Sequence, residues 1–147
     1  MKRLNCIVVF DKKKEKSLFC KRTKDPYKGL YNFVGGKVEA GESGMDAAYR
    51  ELFEETGISE DDICLYHLMD ITYYYQDFIL EIYCGMLKHE VKLIPEKNPL
   101  FWLDLEQDFC NPQIFAGDRN IGHIMTIAMM HPLIGGPLIG GQTPLGV

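Results

Sequence analysis

Apolar and β-branched runs separated by charged or glycine-containing turns predict a series of strands along the chain. Short strands are expected at residues 4–10, 17–22, 31–34 and 100–103. The first two flank a charged turn, which is typical of a β-hairpin. Two longer runs, at 63–75 and 78–87, are largely apolar, so we expect both strands to be buried on both faces.

Two further segments have the periodicity of helices. The first begins at Ser43, whose hydroxyl suits an N-cap, and ends at Gly57, which tolerates the left-handed conformation of a helix C-terminus. Its apolar stripe consists of Met45, Ala48, Tyr49 and Leu52. The second helix is expected at 118–130, with Pro132 after its end. Two helices and a mixed sheet in this order predict an α/β/α sandwich.

The chain has the size of one domain, with 147 residues of which 46% are hydrophobic. We assign residues 1–132 to this domain and residues 133–147 to a Gly/Pro-rich tail. The unit Pro-Leu-Ile-Gly-Gly occurs twice in succession, beginning at Pro132. The Leu-Ile pairs of the tail leave room for a homodimer partner. A net charge of −5 argues against a nucleic-acid-binding surface.

Neither a signal peptide nor an apolar stretch of about 20 residues is found, so we expect a cytoplasmic protein without a membrane contact. The cysteines are odd in number and include no Cys-x-x-Cys pair, which favours buried free thiols over disulfides or a zinc site. They are Cys6, Cys20, Cys64, Cys84 and Cys110.

The most informative feature is a group of carboxylates on the first helix. Glu51, Glu54 and Glu55 are spaced i, i+3 and i+4, so they crowd one side of the helix and repel one another unless a cation lies among them. Hard oxygen ligands suit Mg²⁺ or Mn²⁺, which in turn suit phosphate substrates. A solvated acidic helix is the simpler alternative, but it does not explain the glycines before the helix, Glu42 or Arg50.

The segment resembles the Nudix box of the Nudix hydrolases, G-x5-E-x7-R-E-U-x-E-E-x-G-U, where U is a bulky apolar residue. Every fixed position is met, by Gly36, Glu42, Arg50, Glu51, Leu52, Glu54, Glu55, Gly57 and Ile58. The resemblance implies an α/β/α sandwich and the hydrolysis of nucleoside diphosphates linked to another group. For a nucleoside triphosphate, the products are a monophosphate and pyrophosphate.

The resemblance also implies roles for individual residues. Glu51, Glu54 and Glu55 are expected to bind the metal with the backbone carbonyl of Gly35, and Arg50 is expected to orient the glutamates. Glu42 would brace Arg50 or a metal-bound water.

Three glutamates are candidates for the catalytic base. In the MutT branch the base lies six residues before a tryptophan, and the matching residue here is Glu96. Glu90 is a competitor, and Glu51 could itself serve.

Three residues are candidates for base recognition. Asn32 matches a nucleobase-pocket asparagine of the oxidised-purine triphosphatases, and an amide offers a purine edge both a donor and an acceptor. Asp118 and Asn120 lie near a second purine-reading position of related enzymes, although Asn120 could instead cap the second helix. Tyr73, Tyr74 and Tyr75 are a weak sign of dinucleoside polyphosphate hydrolysis.

These features lead to a first hypothesis of a Mg²⁺-dependent pyrophosphohydrolase in the MutT-like, oxidised-purine branch, acting on small-molecule nucleotides such as 8-oxo-dGTP. One alternative changes the substrate to a dinucleoside polyphosphate or nucleotide sugar. Another is a non-catalytic nucleotide-binding regulator, which would not need all three glutamates.

Overall fold

A mixed six-stranded sheet forms the centre of the protein in the computed structural model, which describes residues 1–134. The strands are β1 (Lys2–Phe10), β2 (Lys16–Lys21), β3 (Tyr31–Asn32), β4 (Tyr66–Tyr73), β5 (Phe78–Met86) and β6 (Leu100–Asp104). Their order is β3-β2-β1-β5-β4, with β6 also paired to β2. β1 and β5 are parallel, while the other paired strands are antiparallel.

One helix packs on each face of this sheet. Because side chains alternate along β1, Ile7 and Val9 face the core that contains α1 (Gly44–Thr56), whereas Val8 and Phe10 face the core that contains α2 (Asn120–Met129). The predicted α/β/α sandwich is thus confirmed.

The ends of α1 follow its sequence signals. The Ser43 hydroxyl accepts a hydrogen bond from the Asp46 N–H at 3.1 Å, and Gly57 ends the helix at φ 78°. Ala48 and Leu52 are buried against the sheet. Helix α1 is therefore fixed on its inner side, while its outer side carries the carboxylates.

Helix α2 lacks a side-chain cap at its N-terminus, and Arg119 precedes it in a left-handed conformation. At the other end, the Lys14 ammonium group of the β1–β2 hairpin donates to the Met129 carbonyl at 3.2 Å. A cation at this position suits the helix dipole.

Two expectations were wrong. Strand β4 is not buried on both faces, because it lies at the edge of the sheet and exposes His67, Asp70 and Thr72. The cysteines are not all buried, since Cys64 and Cys110 are exposed.

A short 3₁₀ helix at Pro132–Ile134 follows α2, and Ile134 is buried. Most of the tail expected at 133–147 lies outside the described residues, so the domain boundary at 132 stays a prediction. None of the helices within residues 1–134 has the length and apolar character needed to cross a bilayer.

Candidate active site

The turn at Gly35 and Gly36 connects the sheet to the carboxylate helix. The Asn5 N–H donates to the Gly36 carbonyl at 2.8 Å, and the Gly36 N–H donates to the Asn5 Oδ1 at 2.9 Å. The turn also lies so close to its neighbours that side chains are excluded. A Cβ added at Gly35 would overlap the Asn5 carbonyl, and one at Gly36 would overlap the Glu51 carboxylate.

Arg50 is the hub of the charged groups beside this turn. Its Nη2 donates to Glu42 Oε1 at 2.6 Å and its Nε to Glu42 Oε2 at 3.1 Å, a bidentate pair. Nη1 donates to Glu51 at 3.1 Å and to Glu54 at 3.2 Å, and Nη2 also donates to the Lys37 carbonyl. Hydrogen bonding to Arg50 lowers the pKa of the Glu42 carboxyl.

The three helix carboxylates differ in their surroundings. Glu54 is 48% exposed, whereas Glu51 is only 14% exposed. The Glu55 carboxylate accepts a hydrogen bond from the Gly35 N–H at 3.1 Å. Burial raises the pKa of Glu55 to about 7, with the charges of Glu51 and Glu96 acting in the same direction. Negative charge is therefore crowded at this point.

These side chains do not form a closed cage in the conformation described. Within residues 1–134, no three His, Cys, Asp or Glu side chains converge to hold a metal ion. The reason is visible in the hydrogen bonds, because Glu51 and Glu54 turn toward Arg50 while Glu55 turns toward Gly35. The donor set still suits a hard dication, since it consists of oxygen atoms on a rigid helix with excess negative charge.

Glu96 lies beside Glu55. Both residues line a small cavity of about 60 Å³ with Lys97 and Asn98. Hydrogen bonds hold the loop at several points: Ile94 N to the Thr56 carbonyl at 2.9 Å, Lys21 N to the Pro99 carbonyl at 2.9 Å, and Thr23 Oγ1 to Asn98 Oδ1 at 3.1 Å.

The competing glutamate occupies a different place. Glu90 lines a separate cavity of about 390 Å³ with residues of the β1–β2 hairpin and Trp102. Of the two distal glutamates, the structure brings only Glu96 to the carboxylate helix.

A larger cleft of about 440 Å³ opens on the α2 side of the same turn. It is lined by Gly35, Glu55, Asn32 and Asn120, among other residues. The last two come together because the Tyr31 N–H donates to the Ile114 carbonyl and the Ala116 N–H to the Tyr31 carbonyl, which brings the start of α2 beside β3.

In each of the two cleft asparagines, Asn32 and Asn120, one side-chain amide atom takes part in a hydrogen bond. The Oδ1 of Asn32 accepts from the Phe33 N–H at 2.9 Å. The Nδ2 of Asn120 donates to the Tyr73 hydroxyl at 2.6 Å, so this side chain does not cap α2. Among residues 1–134 no partner is found for the Nδ2 of Asn32 or the Oδ1 of Asn120, which leaves a donor on the first and an acceptor on the second.

Asp118 does not line the cleft. Its carboxylate accepts a hydrogen bond from the Tyr27 hydroxyl at 2.9 Å. Tyr73 lines the cleft, whereas Tyr74 and Tyr75 lie at the β4–β5 turn with 82% and 96% of their surfaces exposed.

The sequence alone did not identify several residues of the site. The cleft is also lined by Cys20, Arg22 and Tyr27. Asn5 lines it as well and accepts a hydrogen bond from Gly36. They precede the box and lie on strands or loops without a recognisable motif, so spacing gave no signal for them. The one available clue was Asn5, the single polar residue in the otherwise apolar run 4–10.

Comparison with known proteins gives a family and a fold. A family model described as NUDIX domain matches residues 1–116. An ADP-ribose pyrophosphatase of Methanocaldococcus jannaschii is 46% identical over 46 residues, which are 31% of this chain and 27% of that protein. The chain thus corresponds to only about a quarter of that relative's length.

Two solved structures share the fold over most of both chains. A C. elegans Ap4A hydrolase in a binary complex has a TM-score of 0.69 at 17% identity, covering 86% of this chain and 94% of that one. MutT, from a study of Aliivibrio salmonicida and Vibrio cholerae, has a TM-score of 0.67 at 20% identity, covering 86% and 95%.

Proposed function

The chain belongs to the Nudix family, and we propose that it hydrolyses nucleoside diphosphates linked to a further group, with purine nucleoside triphosphates as substrates. The observation that carries this proposal is the position of the Gly35–Gly36 turn. On one side of the turn lie the carboxylates of α1, and on the other opens a cleft with amide donors and acceptors. Triphosphate and base can therefore be bound next to each other.

In this proposal Glu51, Glu54, Glu55 and the Gly35 carbonyl hold Mg²⁺, which Mn²⁺ can replace. The bound dication neutralises phosphate charge and lowers the pKa of its water ligand. Arg50 orients Glu51 and Glu54 through the hydrogen bonds described above, and Glu42 fixes Arg50. The arrangement holds Glu51 and Glu54 close together at the guanidinium group, from which they would turn toward the metal.

Glu96 is our candidate for the catalytic base. It accepts the proton of the attacking water at a carboxylate oxygen, which its position beside Glu55 supports. The anchors of its loop restrict where this carboxylate can lie. Glu51 is a weaker candidate because Arg50 already donates to it.

The free amide atoms of the cleft support a choice among purines. We propose that the base presents its major-groove edge, where a donor from Asn32 and an acceptor from Asn120 match an acceptor beside a donor. The major-groove edge of adenine has this pattern, while that of guanine presents two acceptors. Oxidation of guanine at C8 turns N7 into an N–H donor, so 8-oxoguanine acquires the matching pattern.

The test is a comparison of kcat/KM for 8-oxo-dGTP, dATP, dGTP and dCTP with Mg²⁺. We expect the first two to exceed the others by about 10- to 100-fold, because a mismatched edge leaves unpaired those amide atoms that the bound base would shield from water. Asn32→Asp keeps the oxygen that accepts from Phe33 but removes the donor, so it should shrink this difference. Equal rates for 8-oxo-dGTP and dGTP, or an unchanged preference in Asn32→Asp, would contradict the proposal.

Asn111→Asp is the matched control for this experiment. It is the same chemical change, Asn111 does not line the cleft, and its Oδ1 accepts from the Gln113 N–H, a contact that aspartate preserves. Its substrate preference should equal that of the wild type.

A dinucleoside polyphosphate is the second candidate substrate. The exposed Tyr74 and Tyr75 lie next to Tyr73 of the cleft and offer aromatic faces on which a second base could stack. If this substrate is the preferred one, diadenosine tetraphosphate will be cleaved with a higher kcat/KM than dATP in the same assay.

A further inference from the structure

Asn5 has an unusual hydrogen-bonding state. Its side chain lies on β1 beneath the Gly35–Gly36 turn and the residue is only 4% exposed. Its Nδ2 is the only buried side-chain nitrogen or oxygen among residues 1–134 without a hydrogen-bond partner. Buried polar groups are nearly always paired, so an unpaired one calls for an explanation such as a partner that arrives later.

Flipping the Asn5 side-chain amide, so that its oxygen and nitrogen exchange places, does not give every buried atom a partner. The Oδ1 accepts from the Gly36 N–H at 2.9 Å, and this bond requires an oxygen at that position. The amide group is therefore held with its oxygen toward Gly36 and its two N–H donors directed elsewhere.

The Glu51 carboxylate is an acceptor that lies against the same glycine, in the space that a Cβ of Gly36 would need. The carboxylate of Glu81, which is paired with Asn5 across β1 and β5, already accepts from Arg3 and Tyr83. Gly36 is held by Asn5 at both its N–H and its carbonyl, and the Glu51 carboxylate packs directly against the same residue. In the conformation described, Glu51 Oε1 instead accepts from Arg50. Glu51 and the Asn5 amide thus both contact Gly36, and no hydrogen bond joins them in the conformation described.

We propose that Asn5 is a positioning residue of the metal platform, the group formed by the carboxylates of Glu51, Glu54 and Glu55. The Oδ1 of Asn5 fixes Gly36, and its Nδ2 donates to the Glu51 carboxylate when a divalent cation is bound. The inference rests on the proposed function, because it assumes that Glu51 is a metal ligand. Carboxylate ligands of metals are commonly held by hydrogen bonds from a neighbouring side chain, and such partners influence affinity strongly.

The first test measures binding of Mn²⁺ alone, by electron paramagnetic resonance of the free ion, with no substrate present. Asn5→Leu removes the contact to Gly36 and the proposed contact to Glu51 at similar size, and it should raise the Kd by about 10-fold or more. Ser17→Ala is the control, because it also removes a buried hydrogen bond in the sheet, from the Ser17 hydroxyl to the Val9 carbonyl, away from the platform. Its Kd should equal that of the wild type.

The outcomes separate the two hypotheses. A wild-type protein that binds no Mn²⁺ would overturn the proposed metal site and this inference with it. A wild type that binds Mn²⁺ with the same Kd as Asn5→Leu would overturn the role of Asn5 alone. An equal weakening in Ser17→Ala would show a general loss of stability and would also overturn that role.

A second measurement needs no variant at all, so it applies even if Asn5→Leu fails to fold. In the ¹⁵N–¹H spectrum of the wild type, the Asn5 side-chain amide is assigned through its Cβ and followed during titration with Mg²⁺. One Nδ2 proton should move downfield and exchange more slowly with water as Mg²⁺ saturates the protein. The Asn111 amide should not move, and an unmoved Asn5 amide at saturation would overturn the proposal.

Discussion

The three glutamates of α1 lie in different environments although they are close in sequence. Glu54 is half exposed and shares Arg50 with Glu51, whereas Glu55 is turned inward to the Gly35 N–H. Burial raises the pKa of Glu55 to about 7. A residue kept in such an unfavourable place is a candidate for function rather than for stability.

Glu55→Gln should therefore reduce kcat by about 100-fold while leaving the protein folded. Glutamine keeps the size of the side chain and an oxygen that can accept from Gly35, but it removes the negative charge that a metal needs. Steady-state kinetics at saturating Mg²⁺, with circular dichroism for the fold, check this expectation. Glu60→Gln, at an exposed position after the helix, is the control. Turnover near that of the control would remove Glu55 from the metal site.

Helix α1 positions the site only if its end is fixed. Gly57 has a φ of 78°, which favours glycine, and it also packs against Ile94 of the loop that carries Glu96. The end of the helix and the Glu96 loop are further joined by the bond from Ile94 N to the Thr56 carbonyl. The last turn of α1 is thus joined directly to the loop that carries Glu96.

At this position alanine should destabilise the protein in two ways. Gly57→Ala costs about 1–2 kcal/mol for the left-handed conformation, and the new methyl group would also press against Ile94 at 3.3 Å. Gly41→Ala has a similar φ of 83° with open space around it, so it reports the conformational cost alone. Urea unfolding should give a larger loss for Gly57→Ala, and equal losses would show that Ile94 yields freely.

At the scale of the whole molecule, the proposed metal site predicts that metal binding is coupled to stability. Clustered carboxylates repel one another when no dication is bound, and a cation that binds only the folded state stabilises it by mass action. We expect the melting temperature to rise by a few degrees, about 2–4 °C for each kcal/mol gained, between EDTA and millimolar Mg²⁺. Potassium chloride at equal ionic strength is the control, and superimposable curves in EDTA and Mg²⁺ would count against a metal site.

The sequence predicted those parts of the protein that depend on local signals. Ser43, Gly57 and the spacing of the helix glutamates define α1 because caps and periodicity act within a few residues. The edge position of β4 could not be predicted, since apolar content does not reveal which strand lacks a second neighbour. Likewise the bond between Asn120 and Tyr73 depends on two segments 47 residues apart.

The hydrogen bonds of Arg50 bear on the state of the carboxylates before any metal is bound. Its guanidinium group lies among the carboxylates of Glu42, Glu51 and Glu54, so it acts as a tethered counter-ion. Part of the carboxylate charge is therefore balanced within the chain itself, whereas a zinc finger needs its metal to fold. At the proposed site, metal binding would be an exchange of partners by carboxylates that are already held together. A monovalent ion would gain little there, because a fixed single positive charge is already in place.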